Sequence, residues 1–148
     1  MKGFLAVCVI AITVSSAFAV DDAMKKKLED TFRKCKESNP ITDEEVQQIK
    51  KHEAVPSSPQ AKCLAKCMME EGKLMKDGKY NKDAAMAFAE ALHNDEPEEV
   101  EKVKKVIEHC LAEVGADVGS DECEYAYKMT SCGHAKAKEL GVKKVDWE

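Results

Sequence analysis

CLAKC, residues 63–67, sets two cysteines four positions apart in a stretch with no glycine or proline to bend it. Four steps of about 100° place Cys63 and Cys67 side by side on one face of a helix. Such a pair serves as half of a metal site, as a redox couple, or as two anchors for separate disulfides. Parallel Cβ vectors on a regular helix do not suit the disulfide torsion, so the two are not expected to bond to each other. A redox CxxC motif has two intervening residues, and here there are three.

The start of the chain weighs the remaining choices. MKGFLAVCVIAITVSSAFA places Lys2 ahead of an apolar run from Phe4 to about Val14 and ends on Ala17-Phe18-Ala19. This is the pattern of a secretory leader cleaved after Ala19, with an apolar run too short to span a bilayer. The expected organisation is a signal peptide over 1–19 and a single domain over 20–148. Cleavage removes Cys8 and Lys2, leaving six cysteines and shifting the formal charge from −5 to −6. Six cysteines in an oxidising compartment imply three disulfides, and no metal or other cofactor is expected. A zinc site drawn from Cys63, Cys67, His109 and Cys110 is the weaker reading there.

Charges are dense but interleaved in sign, as on solvated helix faces, and the only compact cationic run is Lys25 to Lys27. With a net acidic chain, binding to nucleic acid or an anionic membrane is not expected.

Working outward from CLAKC, the chain reads as helix after helix. Ser58 caps the helix that carries it, Pro59 fills its first turn and Gly72 ends it. Upstream, a helix over Asp22–Glu37 aligns Met24, Leu28, Phe32 and Cys35. Thr42 and Glu45 then form a capping box for a short helix to Lys51. KLMKDGKY reads as a connection with apolar content. Asn81 caps a fourth helix with Ala84, Ala85, Phe88 and Leu92 at helical spacing. A fifth helix, about Pro97 to Val114, has the clearest stripe: Val100, Val103, Ile107, Cys110, Leu111 and Val114. A sixth runs from Asp121 to near Gly141, weakened at Gly133. No convincing strand is expected, and the fold class is all-α, a compact bundle of about six helices.

Cys123 and Cys132 are nine positions apart on the sixth helix, about 13 Å along its axis and on opposite faces. They cannot bond to each other, so that helix must be held from two sides. These constraints leave most pairings open. Three bridges in a domain large enough to fold on its core have two readings, a hollow interior or durability outside the cell.

The full spacing is Cys35-x27-Cys63-x3-Cys67-x42-Cys110-x12-Cys123-x8-Cys132. Behind a signal peptide in an acidic helical chain, it resembles the insect odorant-binding proteins of the general and pheromone-binding class. The x3 and x8 intervals are the family's fixed ones, x12 lies in its usual range, and DECEYAYKMTSC (121–132) looks like its segment around the last two cysteines. The resemblance implies an interlocked pairing: Cys35–Cys67, Cys63–Cys123 and Cys110–Cys132. It also implies an apolar cavity that carries a small hydrophobic molecule through sensillar lymph or another body fluid. An indirect link to a membrane olfactory receptor would follow, and homodimerisation stays open.

No catalytic residue is expected. The chain has no GxSxG, no glycine-rich phosphate loop and no HExxH, and none of its histidines is followed by the aspartate a secreted phospholipase needs. The residues expected to line the pocket are Met69, Met75, Phe88, Val103, Ile107, Leu111 and Met129. Methionines suit a wall that accepts varied shapes. Tyr80 and Tyr127 carry hydroxyls that can meet a guest's oxygen. Trp147, the only tryptophan, sits second from the end with Val142 and Val145 before it, as if to fold back over the cavity and loosen between about pH 7 and 5. A non-olfactory carrier of the same fold and a ligand-free secreted structural or defence protein are the alternatives.

Overall fold

The computed structural model describes residues 22–146, and the leader therefore lies outside the described residues. Six helices follow one another: α1 (Asp22–Ser38), α2 (Asp43–Lys50), α3 (Pro59–Glu71), α4 (Lys82–Leu92), α5 (Pro97–Val114) and α6 (Glu122–Leu140). Their starts are built as the residue types dictate. Thr42 and Glu45 exchange side-chain-to-backbone bonds of 3.2 and 3.0 Å, the reciprocal capping box. Ser58, Asn81 and Asp121 each accept from the amide three residues on, at 3.0 to 3.2 Å. Gly141 ends α6 at φ 64°, the left-handed conformation that favours glycine.

The connection KLMKDGKY differs from expectation. It holds a small antiparallel hairpin, β1 (Met75–Lys76) and β2 (Lys79–Tyr80), with Met75 opposite Tyr80. Asp77 at φ 53° and Gly78 at φ 73° make the turn, the pair of positive φ values that Asp-Gly supplies in two-residue hairpins. The α5–α6 loop completes the edge: Tyr80 N donates to Ala116 O (2.8 Å) and Val118 N to Gly78 O (3.0 Å).

Two glycines give opposite expectations. A Cβ on Gly78 meets nothing within 4 Å, so Gly78→Ala carries only the cost of φ 73° and should lower stability by about 1 kcal/mol. A Cβ on Gly133, inside α6, meets only Val106 Cγ1 at 4.0 Å. Gly133→Ala should therefore raise stability by about 0.5–1 kcal/mol through helix propensity. Thermal melts of the two variants check both signs.

α6 packs against α3 on one side and α5 on the other, α1 packs on α3, and α4 packs on α5. The disulfides are Cys35–Cys67 (α1 to α3), Cys63–Cys123 (α3 to α6) and Cys110–Cys132 (α5 to α6). CLAKC is thus an anchor for two different helices, and α6 is pinned from its two opposite faces.

Candidate functional site

Three apolar clusters fill the bundle. The main one joins Met75, Val106, Cys110, Val118, Tyr125, Ala126 and Met129 between α3, the hairpin, α5 and α6, with Met69 and Leu111 against it. A second lies at α1–α3 around Cys35, Ile41 and Leu64, with Phe32 and Met68 against it. A third joins Ala85, Ala89 and Ile107 of α4 and α5, flanked by Leu74, Met86, Val103 and Leu111. Leu111 and Tyr80 touch both the main and the third cluster.

The expected pocket residues divide accordingly. Met69, Met75, Leu111 and Met129 come together in the main cluster, and Val103, Ile107 and Leu111 in the third. Phe88 of α4 is half-buried and belongs to neither cluster. Trp147 lies outside the described residues.

Filling is uneven. Among the described residues, the largest side chains with less than 2 % exposure are Cys35 and Cys110. No leucine, isoleucine, methionine or phenylalanine reaches that level, although Leu64, Met75, Ile107 and Met129 are buried, and Met69, Leu74, Met86 and Leu111, packed against the main and third clusters, keep intermediate exposure. A close-packed interior seals several large aliphatic side chains completely. Here the fully sealed positions hold sulfur bridges and alanines, and the larger side chains beside the clusters, Met69, Leu74, Met86 and Leu111, are only half-buried.

Two depressions lie elsewhere. One, about 390 Å³, runs along Lys26, Lys27, Asp30 and Lys34 of α1. The other, about 460 Å³, lies between α5 and α6 beside His109, Glu113, Tyr127, Lys128 and Ser131.

The tyrosines have separate fates. Tyr125 is buried and its hydroxyl donates to Gly115 O at 2.7 Å; burial is the main cause that pushes it up to about 12. Tyr127 sits under Lys62, whose Nζ is 4.8 Å from the ring centroid. Tyr80 is half-buried between two clusters, and burial raises its hydroxyl above the usual tyrosine range.

The segment after α6 is docked. Lys143 N donates to Glu99 Oε2 at 2.9 Å, while Lys102 Nζ donates to Glu99 Oε1 at 2.7 Å. Glu99 is only 5 % exposed. The Lys102 ammonium, then the Lys143 amide, hold its carboxyl below the usual carboxylate range. Lys143 Nζ also pairs with Glu96. Farther along, His52 Nε2 lies 2.9 Å from Val145 O, and His134 Nε2 lies 3.1 Å from His52 O. Carbonyl oxygens only accept, so both ring nitrogens carry hydrogen. Val142 packs against the main cluster. Sequence reasoning treated Glu98-Glu99 as a solvated face and missed this role. A signal existed, because Glu99 is four residues before Val103 and eight before Ile107, in register with the apolar stripe of α5.

A model of the PBP/GOBP family matches residues 17–136. The chain belongs to that family. As a PBP/GOBP member it is 26 % identical, over 139 residues, to general odorant-binding protein 19d of Drosophila melanogaster, covering 93 % of this chain and 90 % of that protein. Odorant binding protein 5 of Apis mellifera superposes with a TM-score of 0.68 at 22 % identity, over 87 % of this chain and 99 % of that one. A fatty acid binding protein, OBP56a, from the oral disk of the blowfly Phormia regina gives 0.59 at 18 %, over 82 % and 98 %. At these identities the solved structures show the shared fold. PBP/GOBP members are secreted odorant-binding carriers rather than enzymes. Among the described residues, no helix is long and apolar enough to cross a membrane.

Proposed function

We propose that the chain, after loss of residues 1–19, carries a small hydrophobic molecule between α3, the hairpin, α4, α5 and α6. The single observation that carries this reading is the half-buried apolar rim around Leu111: Met69, Leu74, Met86, Val103 and Leu111 pack against the main and third clusters yet keep surface that a guest can cover. Covering such surface is worth about 25 cal/mol per Å², enough to hold a fragment-sized aliphatic guest at micromolar affinity. Met69, Met75, Phe88, Val103, Ile107, Leu111 and Met129 are proposed as its wall, and the docked segment 142–145 as a cover.

An odorant or pheromone in sensillar lymph is the favoured cargo, supported by the family and by the curated Drosophila relative. The blowfly neighbour's description as a fatty acid binding protein of the oral disk supports the wider reading of a lipophile carrier in another fluid.

An apolar fluorescent probe should bind with micromolar Kd and be displaced by aliphatic compounds of fragment size. Absence of probe binding at every pH tried would show that the core is closed and overturn the carrier reading.

A further inference from the structure

Beyond Lys143 the tail meets the bundle through a residue of the α2–α3 loop. His52 Nε2 lies 2.9 Å from Val145 O, and the His52 carbonyl lies 3.1 Å from His134 Nε2 of α6. The two contacts span 93 and 82 positions, so one residue joins the loop, the tail and the last helix. Its backbone is special. His52 sits at φ 53°, the left-handed region that a residue with a Cβ enters only at a cost. From that conformation its amide donates to Ile49 O at 3.0 Å, its ring is turned to the tail and its carbonyl to α6. Residues held in this region persist where surrounding contacts fix them, and they gather at clamps.

The disulfides do not supply this tie. They join α1 to α3, α3 to α6 and α5 to α6, and neither the α2–α3 loop nor the tail carries a cysteine. Lys102, Glu99 and Glu96 hold the tail at Gly141 and Lys143, on either side of Val142, which packs against the main cluster. His52 holds it farther on, at Val145, so the segment is fastened at both ends.

We propose that His52 is a positioning residue for cargo retention: its ring clasps the tail at Val145 and keeps the cover closed beside the main cluster. This deepens the carrier reading and rests on it and on the docked tail as a cover. His134 holds the same residue by its carbonyl, so the clasp is anchored on α6, the helix that two bridges fix. The ring and the carbonyl are separable, and losing the ring frees the tail while the loop stays tied to α6.

The test measures dissociation of one apolar fluorescent probe from wild type and from a chain ending at Gly141, each with and without His52→Gly. Glycine adopts φ 53° freely and keeps the carbonyl for His134, so it removes the ring alone. His52→Asn also tolerates the left-handed region, is too short to reach Val145 O, and should behave alike. In the full chain each substitution should speed dissociation about fivefold, the loss of one net hydrogen bond. In the shortened chain neither should alter the rate, because the tail through which they act is gone. Unchanged dissociation in the full chain, or equal acceleration in both chains, would overturn the role of His52 while leaving the carrier reading intact. A shortened chain that releases the probe as slowly as wild type would overturn the cover and this inference with it. Failure of the probe to bind wild type would overturn the carrier reading itself.

Discussion

Protein in which Cys63 and Cys123 are both replaced by serine should melt about 15 °C below wild type, the largest loss among the three paired replacements. The three bridges close loops of different length, with sequence separations of 60 for Cys63–Cys123, 32 for Cys35–Cys67 and 22 for Cys110–Cys132. Restriction of the unfolded chain grows with the logarithm of loop length, giving about 4 kcal/mol for the longest and nearer 3 for the shortest. For a domain of this size each kcal/mol moves the midpoint by about 4 °C. Position reinforces the ranking, because this bridge joins α3 to α6 across the helix pair that packs most extensively. Differential scanning calorimetry of the three serine pairs checks the order. A larger loss from Cys110→Ser with Cys132→Ser would defeat the loop-length account. Two or more reactive thiols in native wild type would sink the disulfide framework itself.

The pairing in that framework was implied by the family resemblance, and its constraints were legible because cysteine spacing survives in one dimension. Four positions place Cys63 and Cys67 on one helix face and nine place Cys123 and Cys132 on opposite faces, whatever the rest of the chain does. The capping residues Thr42, Ser58, Asn81 and Asp121 were equally readable, since their bonds reach only three residues along. The hairpin was missed for a related reason. Each strand is two residues long, too short for alternation to show, and only Asp77-Gly78 announced the turn. Its stability comes partly from Ala116 and Val118, far along the chain. The contacts of Glu99 and His52 with the tail span 44 and 93 residues and leave no local pattern. Pocket residues fall between these cases: the α5 stripe marks which side chains face inward, but not whether neighbours fill the space between them.

Deleting residues 142–148 should weaken probe binding at neutral pH, and Glu99→Gln should do so by several-fold while abolishing an acid-dependent step. The proposed cover is held by Glu99 on α5 and Glu96 just before it, by His52 in the α2–α3 loop, and by Lys102 bonding Gly141 O at 3.4 Å. Its acid response follows from which of these change charge. Glu99 is held below the usual carboxylate range, so its contribution is complete above that range and disappears only as pH falls through the lowered value. Charging His52 or His134 leaves a hydrogen on each Nε2, and both bonds to carbonyl oxygens persist. Charging His93, whose Nδ1 is 3.8 Å from Glu96, adds attraction to Glu96 and Glu99 rather than repulsion. Of the tail's own charges, the Lys143 ammonium is held above the usual lysine range by Glu96, and acid does not remove it. Release is therefore proposed to lie below the window of pH 7 to 5 expected from sequence. Affinity of wild type should change little from about pH 7 to 5 and fall only below the usual carboxylate range, as Glu99 takes up its proton. Glu99→Gln, which keeps an acceptor for the Lys143 amide and loses the ion pair with Lys102, should start weaker and lack the lower step. A wild-type affinity that drops between pH 7 and 5 and is untouched by Glu99→Gln would show that the tail is released by another group.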